Sequence, residues 1–210
     1  MFAYCGNNSV AGIDPSGCRP VITVNIEDGA GSLYNEEKYN REAAIDYARE
    51  WSYSYNPAFY RYWTDCANFV SQCLYVGGIE QTDSWHMYKY MKSHSHNPLA
   101  WLSQNYRYNW DVGAAWSVAS AQYEYFKSID GNISVYIGSV SELASLISTY
   151  GIQAGDLMYF LEDGSIHHAT IISSVDKDSI YYSGHTLSRF GESLSSHFPA
   201  EGVYVIVIGN

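Results

Sequence analysis

The sequence predicts an α+β domain in which helices come first and an antiparallel sheet follows. Two observations carry this: apolar residues recur at helical spacing between residues 40 and 75, and the period changes to that of strands from Gly155 onward. The first helix starts at Asn40, whose side chain suits the N-cap, with Glu42 in the first turn facing the positive helix end. Ala44, Tyr47, Ala48 and Trp51 follow at i, i+3, i+4 and i+7, and Tyr55-Asn56-Pro57 ends the run. A second helix is expected over Cys66–Tyr75, stopped by Gly77-Gly78. Residues 80–113, rich in His, Asn, Tyr and Trp, read as an irregular insertion with short helical pieces. A third helix is expected over Ala114–Lys127 and a fourth over Ser141–Thr149. Leu157–Leu161 and Ile166–Val175 flank the turn Glu162-Asp163-Gly164-Ser165, a hairpin pattern. Ile180–Ser183 and Val203–Ile208 complete an expected meander, and no internal repeat is visible.

With 210 residues, 47% hydrophobic and 16% charged, the composition is that of one folded domain. No apolar run is long enough for a transmembrane helix. No basic-then-apolar leader opens the chain, so secretion, or delivery to a target cell, is expected by a non-Sec route. The formal net charge of −11 opposes phosphate backbones, so nucleic acid is not an expected partner. The 21 tyrosines and 6 tryptophans are side chains that can line peptide or sugar sites, and equally pack a core edge. Four cysteines occur, at positions 5, 18, 66 and 73. Cys66 and Cys73 lie seven apart on one helix, about 10.5 Å of rise, too far for a disulfide and badly spaced for zinc.

The segment Thr64-Asp65-Cys66-Ala67-Asn68-Phe69-Val70-Ser71-Gln72 carries the most chemistry. A thiol at a helix N-terminus feels unpaired N–H groups and the positive helix end, which favour the nucleophilic thiolate. The same N–H groups can receive the oxyanion of acyl transfer. Cys66, Phe69, Val70, Cys73 and Leu74 also form one apolar stripe, so a core role for both cysteines stands beside this; Cys73 is read as core. A base must come from another element. His167 and His168 lie in a strand pattern, where alternation lets one of them face the helix, and His185 follows seventeen residues after His168. The remaining histidines, at 86, 94, 96 and 197, carry no such pattern.

Two resemblances sharpen this reading. Tyr4-Cys5-Gly6-Asn7-Asn8 followed by Asp14-Pro15-Ser16-Gly17 resembles the end of an Rhs repeat-associated core, in which a shell encloses a C-terminal toxin and cleavage near the Asp-Pro-x-Gly motif frees it. Cys18 stands where that family usually has Leu. The implied organisation is residues 1–18 as the end of the Rhs-like segment, 19–39 as linker or edge strand (Val21–Ile26), and 40–210 as the effector domain. Asn40-Arg41-Glu42-Ala43-Ala44, the Cys66 block, Gly155-Asp156, His168-Ala169-Thr170-Ile171-Ile172 and His185-Thr186 resemble the bacterial putative amidase domain family, related to NlpC-type and CHAP cell-wall hydrolases.

That resemblance implies a papain-like fold with Cys66 as nucleophile, His168 as base and His185 as the polar residue that fixes the His168 imidazole. His167 is then expected to face away. The implied activity is cysteine-dependent amide hydrolysis through an acyl-enzyme, with no cofactor or metal. Peptidoglycan peptide is the expected substrate, and an immunity protein and the Rhs shell are the expected partners. The same Cys-His pair would equally serve protein deamidation or transglutamination, and a non-catalytic binding or adhesion module using residues 80–113 is the reading from another class.

Overall fold

In a computed structural model of the chain, residues 39–91 and 108–209 are described. The Rhs-like segment and the strand expected at Val21–Ile26 lie outside them.

Helix α1, Arg41–Trp51, begins as its sequence requires: Asn40 holds extended backbone and its Oδ1 accepts from Ala43 N at 3.0 Å. Its apolar stripe buries Ala44, Ile45, Tyr47 and Ala48. Helix α2, Cys66–Val76, is buried on every side from Cys66 to Leu74, the mark of a central helix. Its polar side chains are therefore bonded inward: Tyr47 Oη donates to Gln72 Oε1 (2.6 Å) and Ser71 Oγ donates to Trp116 O (2.9 Å).

The stretch expected as an irregular insertion instead contains two strands, β1 (Met87–Met91) and β2 (Tyr108–Val112), hydrogen-bonded neighbours in a sheet of their own. Of the described residues, 88–91 and 108–111 group in a unit of their own. There the Lys89 ammonium lies over the Tyr108 ring, 4.5 Å from its centroid, and Asn109 Nδ2 donates to Tyr90 Oη.

The expected third helix is two, α3 (Ala114–Ser117) and α4 (Ala119–Lys127), because Val118 between them takes extended backbone. Both halves reach α2 at this break. Trp116 Nε1 donates to Asn68 Oδ1 and Gln122 Nε2 to Ala67 O. Strand β3 (Ile133–Ile137), absent from the sequence expectation, precedes a 3₁₀ turn and α5 (Leu143–Tyr150). Gly151, with φ +66°, closes α5 in the left-handed conformation.

The main sheet has six strands in the order β3-β8-β4-β5-β6-β7, adding β4 (Leu157–Glu162), β5 (Ser165–Val175), β6 (Ile180–Gly184), β7 (Arg189–Ser193) and β8 (Val203–Val207). All neighbours are antiparallel, but β8 inserts between β3 and β4, so the arrangement is not the simple meander expected. Alternation along β5 divides the core. Ile171 packs with Ala44, Phe69 and Cys73 of the helices, and Ile172 packs with Met158, Tyr182, Val205 and Leu143 on the other face. The fold class is α+β, as the sequence predicts.

One ionic cluster ties the start of α1 to the sheet. Arg41 Nη1 donates to Asp156 Oδ1 (2.6 Å) and Ala154 O (3.1 Å), and Nη2 donates to Ile208 O (2.6 Å). Asp156, fully buried, also accepts from Gln153 N and Ile208 N. Gly155 sits at φ +89°, and a Cβ there would stand 2.9 Å from Arg41 Cγ, so the position excludes a side chain. The motif pieces Asn40-Arg41 and Gly155-Asp156 are thus two halves of one contact. Arg41→Ala would leave Asp156 buried without its cation and should cost about 3–5 kcal/mol, read as a lower urea midpoint at unchanged slope. A loss below about 1 kcal/mol would show that the pair does not hold the fold.

Candidate active site

The loop before α2 positions Cys66 through its neighbour Asp65. The Asp65 side chain does not cap its own helix by bonding a backbone N–H of the first turn. Its Oδ1 accepts from Tyr62 N (2.8 Å) and Asn68 Nδ2 (2.9 Å), and its Oδ2 lies 2.7 Å from His185 Nδ1. Asp65 N donates to Thr186 Oγ1 at 3.0 Å. Thr186 has φ +77°, a costly conformation for a β-branched residue, and it aims its hydroxyl at that N–H.

His185 is buried, stacked 4.1 Å from the Phe69 ring, and its Nε2 lies 2.8 Å from Trp51 O. This corrects one sequence expectation. His185 does not orient His168, because Asp65 and Trp51 occupy both of its ring nitrogens. A carbonyl and an ionised carboxylate both accept, so with Asp65 ionised the two bonds coexist only when the ring carries both protons.

Cys66 is 8% exposed at the first position of α2. Burial pushes its thiol above the ordinary range and the Asp65 charge adds to this, while the N–H groups of Ala169, Ala67 and Cys66 itself pull the other way. The expectation that the helix end leaves a ready thiolate is therefore not met in the resting structure. Desolvation outweighs the helix end. Gln122, fully buried, fixes the first turn of α2: its Nε2 donates to Ala67 O (2.9 Å) and Ser71 Oγ (2.7 Å), and its Oε1 accepts from Tyr159 Oη (3.3 Å).

Strand β5 approaches this site at Ala169, the residue that follows His168, whose N–H acts to lower the pKa of the Cys66 thiol. The backbone of His168 is thereby brought to Cys66. Its ring is half-buried, 5.9 Å from Phe160, with Nε2 3.7 Å from the point where a Cβ on Gly184 would stand. Nε2 is buried without a hydrogen-bond partner. Burial, then the charges of Arg189 and His167, lower its pKa to about 4.

The face expected to meet α2, that of His168, Thr170 and Ile172, is not the one the helix covers. The helix packs on the face of Ile171, and no hydrogen bond joins Cys66 to His168. The register of β5 against β4 shifts between the pairs Phe160–His168 and Leu161–Ile166, leaving His167 as the extra residue. His167 is exposed, its Nδ1 3.1 Å from Glu162 Oε2.

Cys73 is wholly buried in the core and its thiol is raised well above the ordinary range by burial. His197 is exposed and pairs with Glu192, and His94 and His96 lie outside the described residues. Asp65, Thr186, Gln122 and Tyr159 were missed as site residues in the sequence. Asp65 and Thr186 stand beside Cys66 and His185 in the motifs, but nothing local shows that the two motifs bond each other. Gln122 and Tyr159 leave no sequence signal.

The domain is α+β, with Cys66 opening a buried helix that packs against the histidine-bearing strand β5 of an antiparallel sheet. The chain belongs to the putative amidase domain family, whose sequence pattern matches residues 38–206. It is similar to the uncharacterized protein YhbB of Bacillus subtilis (strain 168), at 26% identity over 146 residues, 68% of this chain. The chain spans 40% of the length of that relative. No solved structure matches it. Family membership supports amide hydrolysis as the general activity.

Two measurements follow from these environments. Iodoacetamide should alkylate Cys66 well ahead of Cys73, and its rate should still be climbing above the pH at which an ordinary thiol has titrated. Equal rates, or a plateau near neutrality, would contradict the geometry. For His168, a folded pKa of about 4 against an ordinary 6.5 means that the unfolded chain binds a proton between these values and the native chain does not. Stability is then fully present above pH ~6.5 and falls as the pH drops toward about 4, by at most about 3 kcal/mol. Melting temperatures across this window should fall more steeply for the wild type than for His168→Gln.

Proposed function

We propose that this domain is a papain-like, cysteine-dependent amide hydrolase in which Cys66 is the nucleophile and His168 the base. The observation that carries the reading is the approach of the Ala169 N–H, on the peptide that follows His168, to the Cys66 thiol. The His168 ring rests on the Phe160 face of β5, so it would swing past Gly184 to reach the sulfur on substrate binding, as catalytic contacts commonly tighten only in the complex.

The resting pair is then a neutral thiol and a neutral imidazole. Attack transfers the thiol proton to His168 as the S–C bond forms at the amide carbon. The oxyanion is received by N–H groups at the start of α2. Collapse breaks the C–N bond, and His168 returns the proton to the leaving amine. Water then attacks the thioester, gives its proton to His168, and releases the acid as the thiolate recovers that proton.

Cell-wall peptide is the proposed substrate, on the resemblance to NlpC-type and CHAP hydrolases. The proposed setting is the effector end of an Rhs-type toxin, on the Tyr4–Gly17 motifs. Trp63 (98% exposed) and Leu187 (64% exposed) stand close in sequence to Asp65 and Thr186, and are apolar side chains free to contact a polymeric substrate.

Mass spectrometry of purified peptidoglycan should show new amine and carboxylate ends with the wild type and none with Cys66→Ala. His168→Ala should lose roughly 10²–10⁴ in rate, while His167→Ala keeps most of it. Equal fragment release by Cys66→Ala would remove the cysteine mechanism. No release by an enzyme whose Cys66 is reactive would remove the cell-wall substrate. Activity lost in His167→Ala and kept in His168→Ala would move the base by one residue.

A further inference from the structure

The acidic residue immediately before the nucleophile is a problem that the site has to solve. A carboxylate adjoining Cys66 opposes thiolate formation, since two negative charges in a partly desolvated site repel. Asp65 nevertheless organises the loop, because its two oxygens and its N–H meet Tyr62, Asn68, His185 and Thr186. We propose that His185 is a charge-compensating positioning residue: held as an imidazolium between Asp65 and Trp51 O, it neutralises the Asp65 carboxylate so that Cys66 can ionise during catalysis.

This rests on Cys66 being the nucleophile. It stands on geometry, namely a 2.7 Å contact from Nδ1 to a carboxylate oxygen and a 2.8 Å contact from Nε2 to a carbonyl, at a ring that is 1% exposed. Phe69 on one side of the ring and Tyr55, 4.8 Å away, hold it in place. A neutral imidazole has one N–H and would leave either Asp65 or Trp51 O without its donor. Thr186 completes the arrangement by fixing the Asp65 backbone from the residue that follows His185. His185 touches neither the sulfur nor His168 by any hydrogen bond, so its effect on the nucleophile passes through Asp65.

The test is a double-mutant cycle read by the iodoacetamide alkylation rate at Cys66, on the full chain, with native near-ultraviolet dichroism required of each variant. His185→Gln leaves Asp65 uncompensated and should slow alkylation on the order of tenfold at fixed pH, the effect of one pKa unit. Asp65→Asn removes the charge and, because it also touches the loop that places Cys66, serves as the reference for the second step of the cycle. Adding His185→Gln to Asp65→Asn should change its rate by no more than about threefold, since the charge needing compensation is gone.

A merely structural His185 predicts that His185→Gln slows Asp65→Asn as much as it slows the wild type; that result overturns the proposal. An unchanged rate in His185→Gln overturns it too. If His185→Gln does not fold, the nitrogen chemical shifts of the His185 ring in the wild type decide at neutral pH: both ring nitrogens protonated supports charge compensation, and a singly protonated ring overturns it. A wild-type Cys66 that does not react at all would instead remove the nucleophile reading on which the proposal rests, and the two failures are thereby distinct.

Discussion

The contact between Asp65 and His185 is the constraint from which the arrangement of the site follows. It joins the loop before α2 to the end of β6, two places 120 residues apart in the chain, inside a space that excludes water. Once Asp65 is held there, Cys66 must open the helix at that point and Asn68 must face Tyr60 O and Trp116. Buried charge pairs are weak sources of net stability, because desolvation consumes most of the attraction. Their usefulness is geometric: few other placements of the loop satisfy every donor and acceptor at once.

The helix that carries Cys66 is then held from three directions. Arg41 and Asp156 fix α1 against the ends of β4 and β8, and α1 in turn packs on α2 through Ala44, Tyr47 and Ala48. Gln122 and Trp116 reach α2 from the other side, and Ser71 collects bonds from Trp85 and Gln122 while donating to Trp116 O. A central helix with this many buried polar groups is specified by hydrogen bonding as well as by apolar packing, since a shift of one residue would orphan several of them. Such bonding fixes the position of Cys66 at the start of the helix.

The electrostatics favour a neutral resting state. Burial raises the Cys66 thiol and lowers His168, so both groups favour their neutral forms. Sequence reasoning about the helix terminus had the sign of one influence right and missed the larger one. Depth of burial is not readable from residues 64–72 alone.

What the sequence determined by itself is local. The cap at Asn40, the glycines after α2, the β4–β5 hairpin and the α+β order are consequences of short-range backbone preference and periodicity, which act between near neighbours. Cys66, His168 and His185 could be singled out as chemistry-bearing residues from their local motifs, whereas Asp65 and Thr186 stand in the same motifs without a signal of their role. Which of them meet was decided by tertiary structure. The extra residue in β5 and the departure of β6 after Gly184 turn the His168 ring toward Phe160, and the crossing of β6 under α1 gives His185 to Asp65 and Trp51. The insertion of β8 between β3 and β4 and the break at Val118 belong to the same category. The pairings that fix the site run between segments separated by 48 residues, as for Trp116 and Asn68, up to 134, as for His185 and Trp51, and periodicity, which sees only one segment at a time, contains no information about them.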